Sequence, residues 1–230
     1  MKDLAQIQSV TNFQDLVSTP FQGEINALCW TRQLIGDFAE IVKRVEGDED
    51  ITVLDEAALR ELQLSEKGQL ARDILLNDLK QLTAHGAAPV LNVIKCYDRD
   101  ETYPFFPTDV YSFHVDRSPI PTDTFLCTYS GEPSEILPNS EAIQKIQIPE
   151  IRDALKKLYE GQDEGQEESF EAFLMDNFFD LHYQAKPNAL PISLGLGHIW
   201  RLAIDHPGSK VLPCVHRAPK ETTSRLLLIC

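Results

Sequence analysis

The sequence predicts an α+β protein, with a helical first part followed by a strand-rich body that a second helical segment interrupts. Apolar residues recur at three- and four-residue steps through most of the first part, as they do in amphipathic helices. After HGAAP at 85–89 the segments become short, rich in β-branched and aromatic residues, and separated by Pro, Asp and Gly. We therefore expect a helical region at 1–88 packed on a core at 89–230, with a helical insertion at about 149–184.

Individual elements follow from local signals. Apolar residues between 25 and 45 favour one long helix. Asp55 and Ser65 suit the N-caps of two further helices, because their side-chain oxygens can accept hydrogen bonds from amides of the first turn. Pro149 opens the insertion at a favourable first helical position, and the acidic run at 161–169 is expected to be a solvated loop. The strand-forming segments are VLNVIKCY, DVYSFHV, TDTFLCTYS, PISLGLGHIW, KVLPCVH and SRLLLIC.

Composition and charge narrow the range of partners. The chain has 230 residues, 43% of them hydrophobic, and 36 acidic against 21 basic side chains give a formal net charge of -15. Such a surface repels phosphate backbones and anionic lipids, so nucleic acid and membranes are poor candidate partners. No apolar run reaches the roughly 20 residues of a membrane helix, and the start MKDLAQIQSV lacks a secretory pattern. The five scattered cysteines include no CxxC pair, so they indicate neither a disulfide framework nor a zinc ribbon. We expect a cytoplasmic protein.

A histidine and a carboxylate share one face of a predicted strand in FHVD. Residues i and i+2 of a strand project to the same side, so His114 and Asp116 point together. An ionised carboxylate facing an apolar interior is unfavourable unless it is paired or bound to a metal. A divalent cation is one solution, and a hydrogen bond between the two side chains or a strand end open to water is another.

A second histidine, near the end of the sequence, favours the metal. His216 ends the apolar run KVLPCVH, and Arg225 follows it into the last strand. Two histidines and one carboxylate leave three coordination positions open, the arrangement of non-haem iron(II) oxygenases. A fixed guanidinium matches a carboxylate in bidentate fashion, as a small-molecule organic acid cosubstrate would need. Cys214 would face the same way as His216, so a zinc site of Cys214, His216, His114 and Asp116 is an alternative.

The order His114-x-Asp116, a distant His216 and then Arg225 resembles the 2-oxoglutarate and iron(II) dependent dioxygenases. More narrowly, residues from about 90 to 230 resemble the bacterial family DUF1826. The segments that carry this resemblance are FHVD followed by FLCTYSGEPSEIL, then GHIW, and VHRAP followed by SRLLL. The resemblance implies a double-stranded β-helix core of the jelly-roll or cupin-like kind. It also implies iron(II) held by His114, Asp116 and His216, and 2-oxoglutarate held through its distal carboxylate by Arg225.

Further expectations accompany this resemblance. Tyr129 is a candidate hydrogen-bond donor to the bound acid, although an ordinary buried tyrosine is the alternative. Because the sequence stops soon after Arg225, strands that complete the core should come from the N-terminal region. His182 shows no partner pattern. The rival functions are a cupin-like protein that binds zinc or iron without oxygenase activity, and a non-catalytic scaffold in which the three side chains are only hydrogen bonded. The primary substrate is not readable from the sequence.

Overall fold

The computed structural model of the protein describes residues 5–45, 47–160 and 169–230. The predicted acidic loop lies outside these ranges except for its last residue, Ser169. The helices in the described ranges are α1 (Phe13–Ser18), α2 (Phe38–Val45), α3 (Glu56–Glu61), α4 (Glu66–His85), α5 (Pro149–Glu160) and α6 (Phe170–Asp176). None of them is long and apolar enough to cross a membrane.

The strands form two sheets. In chain order they are β1 (Ile7–Val10), β2 (Ala27–Trp30), β3 (Ile51–Val53), β4 (Val90–Ile94), β5 (Phe113–His114), β6 (Asp123–Ser130), β7 (Glu135–Ile136), β8 (Ala142–Gln144), β9 (His182–Ala185), β10 (Ile192–Ser193), β11 (Ile199–Ala203), β12 (His216–Arg217) and β13 (Arg225–Ile229). The larger sheet has the order β1-β2-β11-β6-β13-β4-β3, and the smaller has β10-β7-β12-β5-β9-β8. The mixed α+β class predicted from the sequence is confirmed.

The N-terminal region is only partly helical, which corrects the expectation for 1–88. It contributes β1 and β2 at one edge of the larger sheet and β3 at the other, as expected for strands that complete the core. The predicted helix between 25 and 45 forms only as α2, because Ala27, Leu28 and Cys29 are all buried and lie in β2. A short apolar run of this kind, covered on both faces, has no periodicity that separates strand from helix.

The helices α3 and α4 begin at the residues that the sequence indicates. Asp55 Oδ1 accepts a hydrogen bond from the Ala58 amide at 2.8 Å, and Ser65 Oγ accepts one from the Gly68 amide at 3.2 Å. Gly86 ends α4 in the left-handed conformation, with φ of 96°. Together with α1 and α2, these helices cover the outer face of the larger sheet.

The two faces of β6 differ in what they contact. Phe125, Cys127 and Tyr129 lie in a buried cluster with the N-terminal helices. Leu126 projects to the other face and packs in a cluster that contains residues of both sheets, including Ile136 of β7. Because side chains alternate along a strand, Thr124 and Thr128 point with Leu126 into the space between the sheets.

The insertion supports the smaller sheet. The helices α5 and α6 bury a cluster of aromatic and aliphatic residues that includes Phe106, Leu155, Phe173 and Phe179. Within the predicted insertion at about 149–184, the helices are followed by β9, which begins at His182. That strand pairs with β5, so the insertion delivers one strand directly beside His114.

Candidate metal centre

The structure brings together the three residues that the sequence predicts as metal ligands. His216 of β12 lies directly opposite His114 of β5 in an antiparallel pair, and Asp116 follows His114 by two residues. Their ligand atoms all lie within 4.8 Å of one another. The distances from Asp116 oxygens are 3.8 Å to His114 Nε2 and 3.6 Å to His216 Nε2. Directly opposed residues of paired strands project from the same face, which is why side chains so distant in sequence meet here.

Backbone hydrogen bonds orient both imidazoles toward Asp116. His114 Nδ1 lies 2.8 Å from the Ser112 carbonyl, and His216 Nδ1 lies 3.1 Å from the Cys214 carbonyl. A carbonyl can only accept, so each Nδ1 carries a proton, and in the neutral imidazole this leaves Nε2 as the nitrogen with the lone pair. Metal-ligating histidines have this second hydrogen bond, which fixes the tautomer and the ring orientation.

The charge states of the ligands suit a cation. Burial, and then the neighbouring His216, lower the pKa of His114 to about 4, so that its imidazole is neutral at pH 7. Burial raises the pKa of Asp116. Three interactions lower it more, namely those with His216, with the Thr124 hydroxyl that donates a hydrogen bond, and with His114, so the pKa lies below its ordinary value. A neutral imidazole beside an ionised carboxylate is the form that binds metal.

A third histidine borders the centre and was missed in the sequence. His182 of β9 lies opposite His114, on the side away from His216, and the two ring centroids are 5.9 Å apart. Its side chain is buried, and within the described ranges its Nδ1 has no hydrogen-bond partner. Burial, and then His114, lower the pKa of His182 to about 3. Only the register of β9 on β5 reveals this neighbour, and the sequence carries no signal of that register.

Arg225 is completely buried and faces the space between the sheets. Its Nη2 donates to Ser134 Oγ at 3.0 Å and to Thr128 Oγ1 at 3.4 Å. Its Nη1 lies 3.4 Å from Glu221 Oε1, and its Nε has no partner among the residues that the structure describes. Gly131, with φ of +82°, leaves room for this side chain, because a Cβ there would lie 2.8 Å from Arg225 Cγ.

Arg225 and His216 both contact the short segment 134–136, which ends in β7. Ile136 of β7 lies opposite His216, and Ser134, which Arg225 contacts, precedes Ile136 by two residues. Two residues of a strand span about 7 Å. Ser134, which Arg225 contacts, therefore lies about one such step along the chain from Ile136, which His216 faces.

Tyr129 does not reach this centre. Its hydroxyl donates to Asp78 Oδ2 at 2.7 Å, and its ring stacks on Phe38 with centroids 5.3 Å apart, on the face covered by the helices. Asp78 is also paired with Arg32 at 2.8 Å. Tyr129 thus occupies the alternative considered from the sequence, an ordinary buried tyrosine with its own partner, and strand alternation points Thr128 into the space between the sheets instead.

Cys214 belongs to the packing around the centre. Its thiol is buried, and burial followed by the charge of Asp116 raises its pKa, which opposes the thiolate form that binds zinc. Over the described ranges, the group of ligand atoms that converges is His114, Asp116 and His216, without Cys214. The four-residue zinc site considered from the sequence is therefore not formed.

The comparisons with known proteins add no relative: a scan of family models finds no match, and neither the search of curated proteins nor that of solved structures finds one. The resemblances to DUF1826 and to the dioxygenases therefore stay predictions.

Proposed function

We propose that the protein is a non-haem iron(II) and 2-oxoglutarate dependent oxygenase that acts on an unknown substrate. The observation that carries the proposal is the convergence of His114, Asp116 and His216, whose ligand atoms lie within 4.8 Å of one another. Two imidazole nitrogens and one carboxylate oxygen suit iron(II), and three protein ligands leave coordination positions for other molecules. Bound iron(II) would supply the activation of oxygen.

Arg225 is the residue proposed to hold the acid cosubstrate. It is fully buried, and its Nε has no hydrogen-bond partner within the described part of the chain, while Tyr97 also interacts with the guanidinium. A carboxylate would accept from this nitrogen, and the low dielectric of the interior strengthens the pairing. Glu221 is the acidic group now beside Arg225, at the long distance of 3.4 Å, and would have to share the guanidinium with the cosubstrate.

The arrangement of the sheets supports a double-stranded β-helix as the topology of the core. A buried cluster joins residues of both sheets, and the polar side chains of the centre lie beside it. Thr124 of the larger sheet donates to Asp116, and Thr128 contacts Arg225, so the larger sheet positions both proposed binding groups.

The second candidate is a cupin-like metal protein without oxygenase activity. The contact of Glu221 with Arg225 favours it, because a guanidinium with its own carboxylate has less need of an external acid. Zinc also accepts two histidines and a carboxylate as ligands.

One experiment separates the two candidates. Purified protein with iron(II) and ascorbate is incubated with 2-oxoglutarate, and the release of succinate is measured together with 2-oxoglutarate binding. We expect uncoupled turnover in the wild type and loss of 2-oxoglutarate binding, with metal binding retained, in Arg225→Met. The control is Arg217→Met, because Arg217 pairs with Glu135 at 2.7 Å and follows His216 on the opposite face of β12. Tight zinc binding without 2-oxoglutarate binding would instead assign the cupin-like function.

A further inference from the structure

The guanidinium of Arg225 has a carboxylate of its own chain beside it, on a segment without regular structure. Glu221 lies in the loop at 218–224, between β12 and β13, and its Oε1 is 3.4 Å from Arg225 Nη1. We propose that Glu221 is a displaceable internal competitor, whose carboxylate has to leave Arg225 before an external carboxylate binds there. Under the proposed function, on which this inference rests, that external group is the distal carboxylate of 2-oxoglutarate.

The contact between Glu221 and Arg225 is weaker than the best contact that such a pair can form. A guanidinium and a carboxylate pair most strongly through two parallel N–H···O bonds of about 2.7–2.9 Å. Here one oxygen approaches one nitrogen at 3.4 Å. The second oxygen, Glu221 Oε2, accepts from the Tyr111 hydroxyl at 2.7 Å instead. In the described part of the chain, Arg225 therefore has no bidentate carboxylate partner.

Burial makes displacement of Glu221 the route to the guanidinium. The side chains of Arg225 and Glu221 are 0% and 3% exposed, so an external molecule does not reach the guanidinium while Glu221 stays in place. Two other contacts of Arg225 belong to the body of the protein, because Thr128 lies in β6 and Ser134 directly precedes β7. Glu221 lies in a loop with exposed residues on both sides of it. Such segments open at a lower free energy than the strands of a core.

Charge explains why Glu221 and a ligand exclude each other. A ligand carboxylate at the guanidinium would lie close to the Glu221 carboxylate, and like charges repel strongly where water is largely excluded. The ligand therefore binds the form of the protein in which Glu221 has turned away. Its apparent affinity falls with the population of that form, so the grip on Glu221 sets how tightly the ligand binds.

Tyr111 controls how firmly Glu221 is held. Its hydroxyl donates to Glu221 and accepts from the Tyr97 backbone amide at 2.9 Å. The guanidinium of Arg99 lies over the Tyr111 ring, 3.8 Å from its centroid, and helps to fix the ring. Tyr111→Phe keeps both charges of the pair between Glu221 and Arg225 and removes only the donor that holds Glu221. It is therefore the mildest way to release the competitor.

The first test requires neither metal nor 2-oxoglutarate. Glu221→Ala removes the atoms of one acetate ion and leaves Arg225 buried without its carboxylate. We expect a lower thermal unfolding midpoint than in the wild type, and we expect sodium acetate to raise it again, relative to sodium chloride at the same ionic strength. The double variant Glu221→Ala/Arg225→Met should not respond to acetate. Neither should Glu135→Ala, because its partner Arg217 is 35% exposed and stays hydrated.

The second test measures 2-oxoglutarate binding to the manganese(II)-loaded full-length chain by calorimetry. Glu221→Gln keeps the shape of the side chain and removes its charge, and we expect it to bind 2-oxoglutarate at least about tenfold more tightly than the wild type. Tyr111→Phe should bind it about threefold more tightly. Glu135→Gln should match the wild type.

The outcomes separate this inference from the proposed function. An equal response to acetate in the wild type, Glu221→Ala and the double variant would overturn the competitor role, as would 2-oxoglutarate affinity that is unchanged or lower in Glu221→Gln and Tyr111→Phe. Acetate rescue of Glu221→Ala without 2-oxoglutarate binding in any variant would support the competitor role and refute 2-oxoglutarate as the cosubstrate. If neither Glu221 variant folds, the affinity of Tyr111→Phe decides, because that variant retains both charges.

Discussion

Thr124 provides a selective way to perturb the proposed metal centre. Its hydroxyl donates a hydrogen bond to Asp116 Oδ2, and its side chain points from β6 into the space between the sheets. Thr124→Val preserves the shape of the side chain and removes the donor. Asp116 then loses the hydroxyl that orients it and favours its ionised form.

The expected loss follows from the kind of hydrogen bond that is removed. A bond to a charged group contributes about 1.5–3 kcal/mol. Loss of an outer partner of a metal ligand typically weakens metal affinity by about 10- to 100-fold, or about 1.4–2.7 kcal/mol. The two ranges agree, so we expect Thr124→Val to bind metal 10- to 100-fold more weakly than the wild type.

Calorimetric titration with manganese(II) measures this affinity without oxidation of the metal. The matched control is Thr128→Val, on the same strand and the same face, whose hydroxyl contacts Arg225 Nη2 at 3.4 Å. That variant should keep the manganese(II) affinity and weaken 2-oxoglutarate binding to the metal-loaded protein. Equal manganese(II) affinity in the wild type, Thr124→Val and Thr128→Val would refute the reasoning.

Two further predictions concern stability. Arg32 and Asp78 form an ion pair of 2.8 Å, and their side chains are only 9% and 1% exposed. Asp78→Ala removes the partner of this buried guanidinium, so we expect the free energy of unfolding, measured in urea, to fall by about 3–5 kcal/mol. A loss below about 1 kcal/mol would contradict this prediction. In metal-free protein, His114 and His182 of the folded state have pKa values of about 4 and about 3, so both are neutral above these values. In the unfolded chain the same two histidines take up protons below about pH 6.5. The free energy of unfolding should therefore fall as pH falls from about 6.5 toward 4, by roughly 1.4 kcal/mol per pH unit for each histidine, and His182→Phe should reduce the slope. A slope that His182→Phe leaves unchanged would contradict the assignment to this residue.

Part of the candidate metal centre was predictable because a two-residue period is a local property. In an extended backbone FHVD places His114 and Asp116 on one face, and their side chains do converge although β5 itself ends at His114. The position of His216 was predicted from the order of the residues and from a resemblance, and its register opposite His114 appears only in the fold. His182 occupies the equivalent position on the other neighbouring strand, yet nothing near it in the sequence indicates that strand.

Other features depend on packing that the sequence does not encode locally. The alternation of β6 was readable, but which of its faces meets the helices depends on where they dock, and so the sequence left both alternatives for Tyr129 open. The strand β2 was taken for helix because its run of buried residues has no alternation. The hydrogen bonds that join Gln6, Asn26 and Asn139 require three distant segments to meet.

The most direct test of the account is the metal stoichiometry of the purified chain after anaerobic loading with iron(II) and removal of excess metal. We expect one iron per chain in the wild type and none in Asp116→Ala or His216→Ala, with circular dichroism showing that both variants keep the fold. A wild-type chain that retains no metal, or variants that retain as much as the wild type, would contradict the central claim that these side chains form a metal centre.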